Sequence, residues 1–316
     1  MYQQFIRVFP IVLCIGLMGY FARWRNILTG HATRSLLKVI FCFLLPCLAF
    51  YSLTEHLDVR IFKTAFFLPV FSIYAMIIGI FSGSLFLPFL ASAGSEKAET
   101  EKARTFLHLS VVNNFQLLPL PFIVYMFGNQ GLAIFFFFVF GMLFGLWTIG
   151  IWILKNDVDF PDQIRLLCSP LFITIVAALT IVFLGWRSLI PPVITGTAGM
   201  TGKAAVPLGV FITGAVLADG SGFKRSSDAL LLVIVRSICY PAFILMSLTM
   251  LDDHVPIDNR IFNIVLICLI MPAPVISAGL CRKFNTGDAE FAETALFYTT
   301  LASVITVPAV FILFSR

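Results

Sequence analysis

The 316 residues are 59% hydrophobic and 12% charged, with a mean hydropathy of +0.99; a water-soluble domain carries about 25% charged residues. Such a chain cannot cover itself with a polar surface, which excludes an ordinary soluble enzyme. The net charge of +5 comes from residues scattered through short connections, and without a continuous basic patch or basic helix it does not point to a nucleic-acid partner.

In chain order, apolar runs bounded by charge or by Gly, Pro and Asn clusters fall at 5–22, 35–53, 64–90, 105–127 and 131–154. Five more follow at 168–186, 197–218, 229–250, 261–281 and 291–314. Each approaches the roughly 20 residues that cross a hydrocarbon core of ~30 Å. The first run passes into Phe21-Ala22-Arg23-Trp24-Arg25 without a small-residue cleavage site, so it reads as a span and not a cleaved leader. The 64–90 run is long enough to be tilted or kinked. The pattern predicts an all-α integral membrane protein of ten transmembrane helices with no second soluble domain.

Of the 21 lysines and arginines, Arg7, Arg60, Lys63, Arg187, Lys203, Arg260 and Arg316 fall on one side of the bilayer and Arg236 lies within a span. The other thirteen occupy the odd-numbered connections, which places those connections in the cytoplasm and both termini outside. The seven cysteines include no Cys-x-x-Cys pair and no neighbouring histidine at ligand spacing; no metal or cofactor is expected, and they read as small core residues.

The two halves echo each other. Phe9-Pro10 leading to Trp24 corresponds to Ser169-Pro170 leading to Trp186, and Pro46 to Pro207. Leu118-Pro119-Leu120-Pro121 in the fourth span corresponds to Met271-Pro272-Ala273-Pro274 in the ninth. With five spans in each half, 1–154 and 155–316, the second half enters the membrane from the opposite side, which makes an inverted repeat of the kind transporters use.

Proline inside a helix lacks the N–H and leaves the carbonyl four residues earlier unbonded. Pro119 and Pro121 would free Phe115 and Leu117, and Pro272 and Pro274 would free Cys268 and Ile270. Lipid cannot satisfy such carbonyls, so two matched breaks near the midplane point to a substrate or ion site. A packing kink is the plainer reading of any single proline. Beside the first break stand three amides, Asn113, Asn114 and Gln116, read as cavity lining or as glue between helices.

Arg236, in the apolar run Leu231 to Ile238, costs ~2.5–3.5 kcal/mol to insert and needs a partner. It could draw a carboxylate substrate, pair with an acid such as Asp219, Glu290 or Glu293, or reach to the cytoplasmic surface. His108 could relay protons or simply pack. Lys203, Tyr240, Thr299, Thr300 and Ser303 could border the cavity. The runs Gly79 to Gly83 and Gly141 to Gly145 have the spacing of close helix approach. Phe135-Phe136-Phe137-Phe138 reads as lipid-facing bulk.

These residues resemble the auxin efflux carrier family over nearly the whole chain. The most specific piece is Asn114 followed by Pro121 and then Gly128-Asn129-Gln130-Gly131-Leu132-Ala133; Leu45 to Phe50, Pro207-Leu208-Gly209 to Gly214-Ala215, Met271-Pro272 and Thr300 to Pro308 add to it. The resemblance implies ten helices as an inverted 5+5 repeat with broken crossover helices four and nine, an architecture like that of bile acid/sodium symporters and sodium/proton antiporters. Helices 1, 2, 6 and 7 would be a scaffold and helices 3, 4, 5, 8, 9 and 10 a transport core. Gln116 and Pro119 stand where the family usually has glycine, and Ile276 where it usually has asparagine, with Ser277 beside it.

By this resemblance the chain is expected to be a compact, bacterial-type carrier in the inner membrane. Its cargo would be a small organic anion, a mono- or dicarboxylate such as malonate, malate or an auxin-like acid, moved by alternating access. The expected site comprises Asn113, Asn114, Gln116, Pro119, Pro121, Pro272, Pro274, Ser277, Arg236, Thr300 and Ser303, with His108 as proton relay. Coupling to a proton or a sodium ion, and a homodimeric state, are left open. No His-Glu-x-x-His or comparable constellation marks an enzyme. A membrane sensor that binds a small carboxylate without moving it is the alternative.

Overall fold

The computed structural model describes residues 2–92, 94–155, 160–219, 226–252 and 257–316. The side chains of 59, 160–162, 219, 251 and 252 lie outside the described set, as do His254, part of the central connection, and the Asp219 carboxylate considered for Arg236. All regular structure among the described residues is helical, without strands.

The elements are α1 (Tyr2–Trp24), α2 (Gly30–Val39), α3 (Leu45–His56), α4 (Val59–Ala65), α5 (Leu68–Ser84) and α6 (Glu96–Val111). They continue with α7 (Pro119–Gly145), α8 (Ile151–Leu154), α9 (Phe160–Leu167), α10 (Pro170–Phe183), α11 (Pro192–Lys203) and α12 (Ala205–Asp219). The series closes with α13 (Ser227–Ile234), α14 (Tyr240–Asp252), α15 (Asn259–Leu269), α16 (Ser277–Phe284) and α17 (Ala289–Phe314). Among the described residues, seven helical stretches are long and apolar enough to cross a membrane, and Pro170–Phe183 and Asn259–Leu269 are shorter apolar helices.

Several of the irregularities follow from prolines. A π-helical turn, Ile40–Leu44, joins α2 to α3 two residues before Pro46, and another, Val235–Cys239, joins α13 to α14 two residues before Pro241. In each the proline withholds the N–H that the carbonyl four residues back would have accepted, and the ladder widens to compensate. Pro207 acts likewise just beyond the break between α11 and α12.

Two compact units are present. The first comprises Met1–Pro69, Gln116–Phe144 and Ile164–Ala218. Here α3 packs on α10 and α11, and Phe5 stacks on Phe122 with centroids 5.2 Å apart. In this unit the phenylalanine run is not lipid-facing: Phe135, Phe136 and Phe138 are 0% exposed and Phe137 is 6%. A run of one apolar residue type has no polar face from which orientation could be read, and tertiary packing closes over all four sides of the helix. Nor do all cysteines lie in the core: Cys14, Cys42 and Cys168 are exposed, Cys47 and Cys239 are half-buried, and only Cys268 and Cys281 are buried.

The second unit comprises Val70–Phe115, Gly145–Gln163 and Asp219–Arg316. Its core joins Phe106 and Leu109 of α6, Ala229 and Leu232 of α13, and Phe291, Ala292 and Ala295 of α17. A buried ion pair, Lys102 to Asp228 at 2.7 Å, fastens its loop: Ala91 donates its N–H to Asp228 (2.9 Å) and accepts from Lys102 (2.6 Å). The glycine runs do serve close approach. Cβ atoms placed on Gly79 and Gly83 would fall 2.8 Å from the Val111 Cα and 2.7 Å from the Ser110 Cβ, so both let α5 press against the end of α6.

Helix α7 with its continuation runs 36 residues to Leu154, about 54 Å if straight at 1.5 Å per residue, too long for one crossing. It bends at Gly128, whose φ of 62° and ψ of −156° suit glycine alone. A Cβ there would meet nothing within 4 Å, so Gly128→Ala should destabilise purely through backbone strain, by about 1–3 kcal/mol, read as a lower thermal midpoint in detergent. An unchanged midpoint would show that the bend tolerates a side chain.

Candidate functional site

Two helices of the second unit stop at mid-sequence of their apolar runs: α6 ends at Val111 and α15 at Leu269. The chain beyond each is non-helical, through 112–118 and 270–276 respectively. The last carbonyls of a helix have no partner within it and must be satisfied from elsewhere. At α15 Pro272 is one cause, since it has no N–H to offer Cys268. At α6 the break precedes the prolines: Pro119 opens α7, where its missing N–H would be unbonded in any case, so neither Pro119 nor Pro121 breaks a helix from within.

Several of the released carbonyls can be followed to a donor. The Asn113 amide nitrogen donates to Cys268 O at 2.7 Å and to Leu269 O at 3.3 Å. The backbone N–H of Asn114 donates to Pro272 O at 2.8 Å. Ala273 donates its N–H to Thr299 Oγ1 at 3.2 Å. Arg236 spans both ends, with Nη1 on Ser110 O (3.1 Å) and Nη2 on Met271 O (2.7 Å).

Arg236 is 3% exposed, set in the π-helical turn and stacked over Tyr240 with its Cζ 4.9 Å from the ring centroid. Neither Glu290 nor Glu293 is its partner: Glu293 is paired with Arg282. Of the two carbonyls it holds, that of Ser110 lies in the last turn of α6, where the macrodipole is negative, and that of Met271 lies just beyond the end of α15. Two charge-assisted hydrogen bonds of about 1.5–3 kcal/mol each offset an insertion cost of ~2.5–3.5 kcal/mol, so the guanidinium can stay charged without a carboxylate. Its Nε, the Tyr240 hydroxyl and the Asn113 Oδ1 are buried without a hydrogen-bond partner among the described residues, at a cost of about 1–3 kcal/mol apiece.

His108 is fully buried, one turn before the end of α6. Its Nδ1 lies 2.9 Å from Gly150 O and its Nε2 3.0 Å from Ser277 Oγ. A carbonyl only accepts, so in the neutral ring the proton sits on Nδ1 and Ser277 donates to Nε2. His108 thus ties the end of α6 to the start of α16, beyond the second break.

Of the residues expected from sequence, His108, Asn113, Asn114, Arg236, Pro272 and Ser277 come together in the second unit, and Asn114 is 3% exposed. Pro274 follows in the same non-helical stretch and accepts from Ser277 N–H at 3.4 Å. Thr300 and Ser303 are half-buried on α17, where Ser303 donates to Thr300 O at 2.6 Å, within its own helix. Gln116, Pro119 and Pro121 belong to the first unit, as does Lys203, which is exposed and stacked 5.7 Å from the Tyr51 centroid. Thr299 and Tyr240 have larger parts than their sequence suggested, and Lys102, counted only as a loop charge, is the buried partner of Asp228.

Compared with known proteins, residues 5–159 and 158–311 match a family described as membrane transport protein. An uncharacterized transporter of Methanocaldococcus jannaschii is 24% identical over 311 residues, which cover 94% of each chain.

The double hold of Arg236 makes a stability prediction. Arg236→Gln removes the charge and cannot reach both carbonyls, so unfolding in detergent should become easier by about 2–4 kcal/mol. Retention of the parent midpoint would mean that Ser110 and Met271 do not depend on the guanidinium.

Proposed function

The chain belongs to the membrane transport protein family, that of the auxin efflux carriers, and from this premise we propose that it is a secondary carrier of a small organic anion, a mono- or dicarboxylate, working by alternating access. It is a multi-pass membrane transporter by family and by its apolar helices. The observation that carries the finer reading is the buried Arg236, whose described partners are two carbonyls and no carboxylate. A cation placed at two interrupted helices, with donor capacity to spare, suits a transient anionic guest.

We take the helices to be ten spans in an inverted 5+5 repeat. In support, Gly128 divides the longest apolar stretch in two, Pro170–Phe183 and Asn259–Leu269 are apolar at reduced length, and the family match falls on two consecutive stretches of nearly equal size. The excess of basic residues in the odd connections supports external termini in a bacterial inner membrane.

A sensor that binds the same anion without moving it is the second reading, favoured by the departures at Gln116, Pro119 and Ile276 from the pattern usual in the family.

Flux separates the two. Purified chain in proteoliposomes should exchange labelled mono- or dicarboxylate by counterflow, and Asn114→Ala should reduce that exchange to background while leaving insertion and thermal midpoint intact. The substitution keeps the backbone N–H that bonds Pro272, so loss of flux would report the side chain and not the fold. Wild-type rates in the variant would remove Asn114 from the site, and binding without counterflow would favour the sensor.

A further inference from the structure

We infer that His108 is a positioning residue: it fixes Ser277, which opens α16 beyond the second break, against α6 just before the first, and so keeps the two breaks aligned during turnover. The inference rests on the carrier reading above and specifies how that carrier's interrupted helices are held.

Within the second unit, α6, the segment Leu146–Leu154 and the chain from α16 onward are joined at two levels. At the level next to the breaks, the His108 ring lies between Gly150 O (2.9 Å) and Ser277 Oγ (3.0 Å). At the other, Thr286 donates to Leu154 O and the N–H of Asp288 donates to Thr105 Oγ1, both at 2.7 Å. Thr105 and Leu154 stand about one helical turn from His108 and Gly150. The chain after α16 presses closely there, since a Cβ on Gly287 would fall 2.7 Å from Thr105 Oγ1. This second level uses no atom of His108, so it holds the three segments together when the first is cut.

The first level is the one that governs the break. Ile276, the N-cap of α16, contributes no side-chain cap, and the N–H of Ser277 reaches Pro274 O only at 3.4 Å, beyond the usual length of such a bond. The start of α16 is loosely held by its own backbone, and the Ser277 hydroxyl on Nε2 is its described side-chain anchor. Gly150 O, by contrast, sits in continuous helix, between the π-helical turn Leu146–Gly150 and α8.

Both ring nitrogens are thereby occupied, and His108 and Ser277 are each 0% exposed. No charged side chain acts on the ring. The π-helical turn brings Trp147 and Thr148, and α16 brings Cys281 one turn past Ser277, with Arg282 and Lys283 in its last turn. The acids of α13 and α17, which also pack on α6, are Asp228, paired with Lys102, Glu293, paired with Arg282, and the exposed Glu290. A second ring proton would be a buried charge without a counter-charge, so His108 acts as a neutral strut.

Two isosteric amides take the bonds apart. In His108→Asn the amide nitrogen replaces Nδ1 and keeps Gly150; in His108→Gln the amide oxygen replaces Nε2 and keeps Ser277. In proteoliposomes holding the full chain, counterflow of labelled malonate or labelled malate should run in His108→Gln within about twofold of the parent's maximal rate. His108→Asn and Ser277→Ala should each lower that rate about tenfold at unchanged half-saturation, the size of one buried hydrogen bond. The dependence of rate on pH between about 5 and 8 should be the same in parent and His108→Gln. In detergent, His108→Asn and Ser277→Ala together should lower the thermal midpoint no further than either alone, since a single bond is lost. Equal rates in the two His108 variants, a pH dependence lost with glutamine, a raised half-saturation in Ser277→Ala, or additive midpoint losses would each overturn the strut while the carrier reading stands. A parent that exchanges neither acid, with neither raising its midpoint, would bring down the carrier reading and with it the role of this bond in turnover.

Discussion

A peptide group inside a bilayer has no water to fall back on, and every backbone donor or acceptor that a helix releases there must be met by protein. The second unit releases carbonyls at two places, the ends of α6 and α15, and most of its buried polar chemistry answers that demand. Asn113 takes two of the carbonyls at the end of α15, the N–H of Asn114 takes another just beyond, and Arg236 reaches one in the last turn of α6 and one just past α15. Glycines on α5 give the end of α6 its room. The interrupted helices are thereby held by side chains and backbone from distant parts of the chain, and not by their own ladders.

This accounting separates two jobs that one residue can share. The Asn113 nitrogen is committed to structure, and only its oxygen remains. Arg236 is likewise part pin and part unused donor. Holding a helix end and offering a charge are compatible because a guanidinium has five N–H groups in a planar fork, whereas a lysine in the same place would have one compact head for both tasks. The Tyr240 ring under the cation adds a favourable face without consuming any donor.

The same logic explains why the site is built where the prolines are. Pro272 deprives Cys268 of its intrahelical partner, and an asparagine far away in sequence supplies the missing donor. At the other break the prolines instead open the following helix, and the amide-rich stretch 112–118 is left extended or in turns. Pro46 and Pro241 leave milder marks, one widened turn each. The Val235–Cys239 turn is the one that carries Arg236.

Much of this was legible in the residues alone. Low charge and long apolar runs determined a helical membrane protein, because hydration and span length act on each segment by itself; prolines and amides marked the second break and the neighbourhood of the first, because they act within one helical turn. Family resemblance was carried by motifs such as Asn114 to Pro121. Only the tertiary structure decided which donor meets which carbonyl: Asn113 and Cys268 are 155 positions apart, and no local rule couples them. It also decided that Phe135 to Phe138 are enclosed, that Lys102 is paired, and that Arg236 holds the carbonyls of Ser110 and Met271. Each of these depends on which surfaces the fold brings together, a property that periodicity and composition, being local, do not contain.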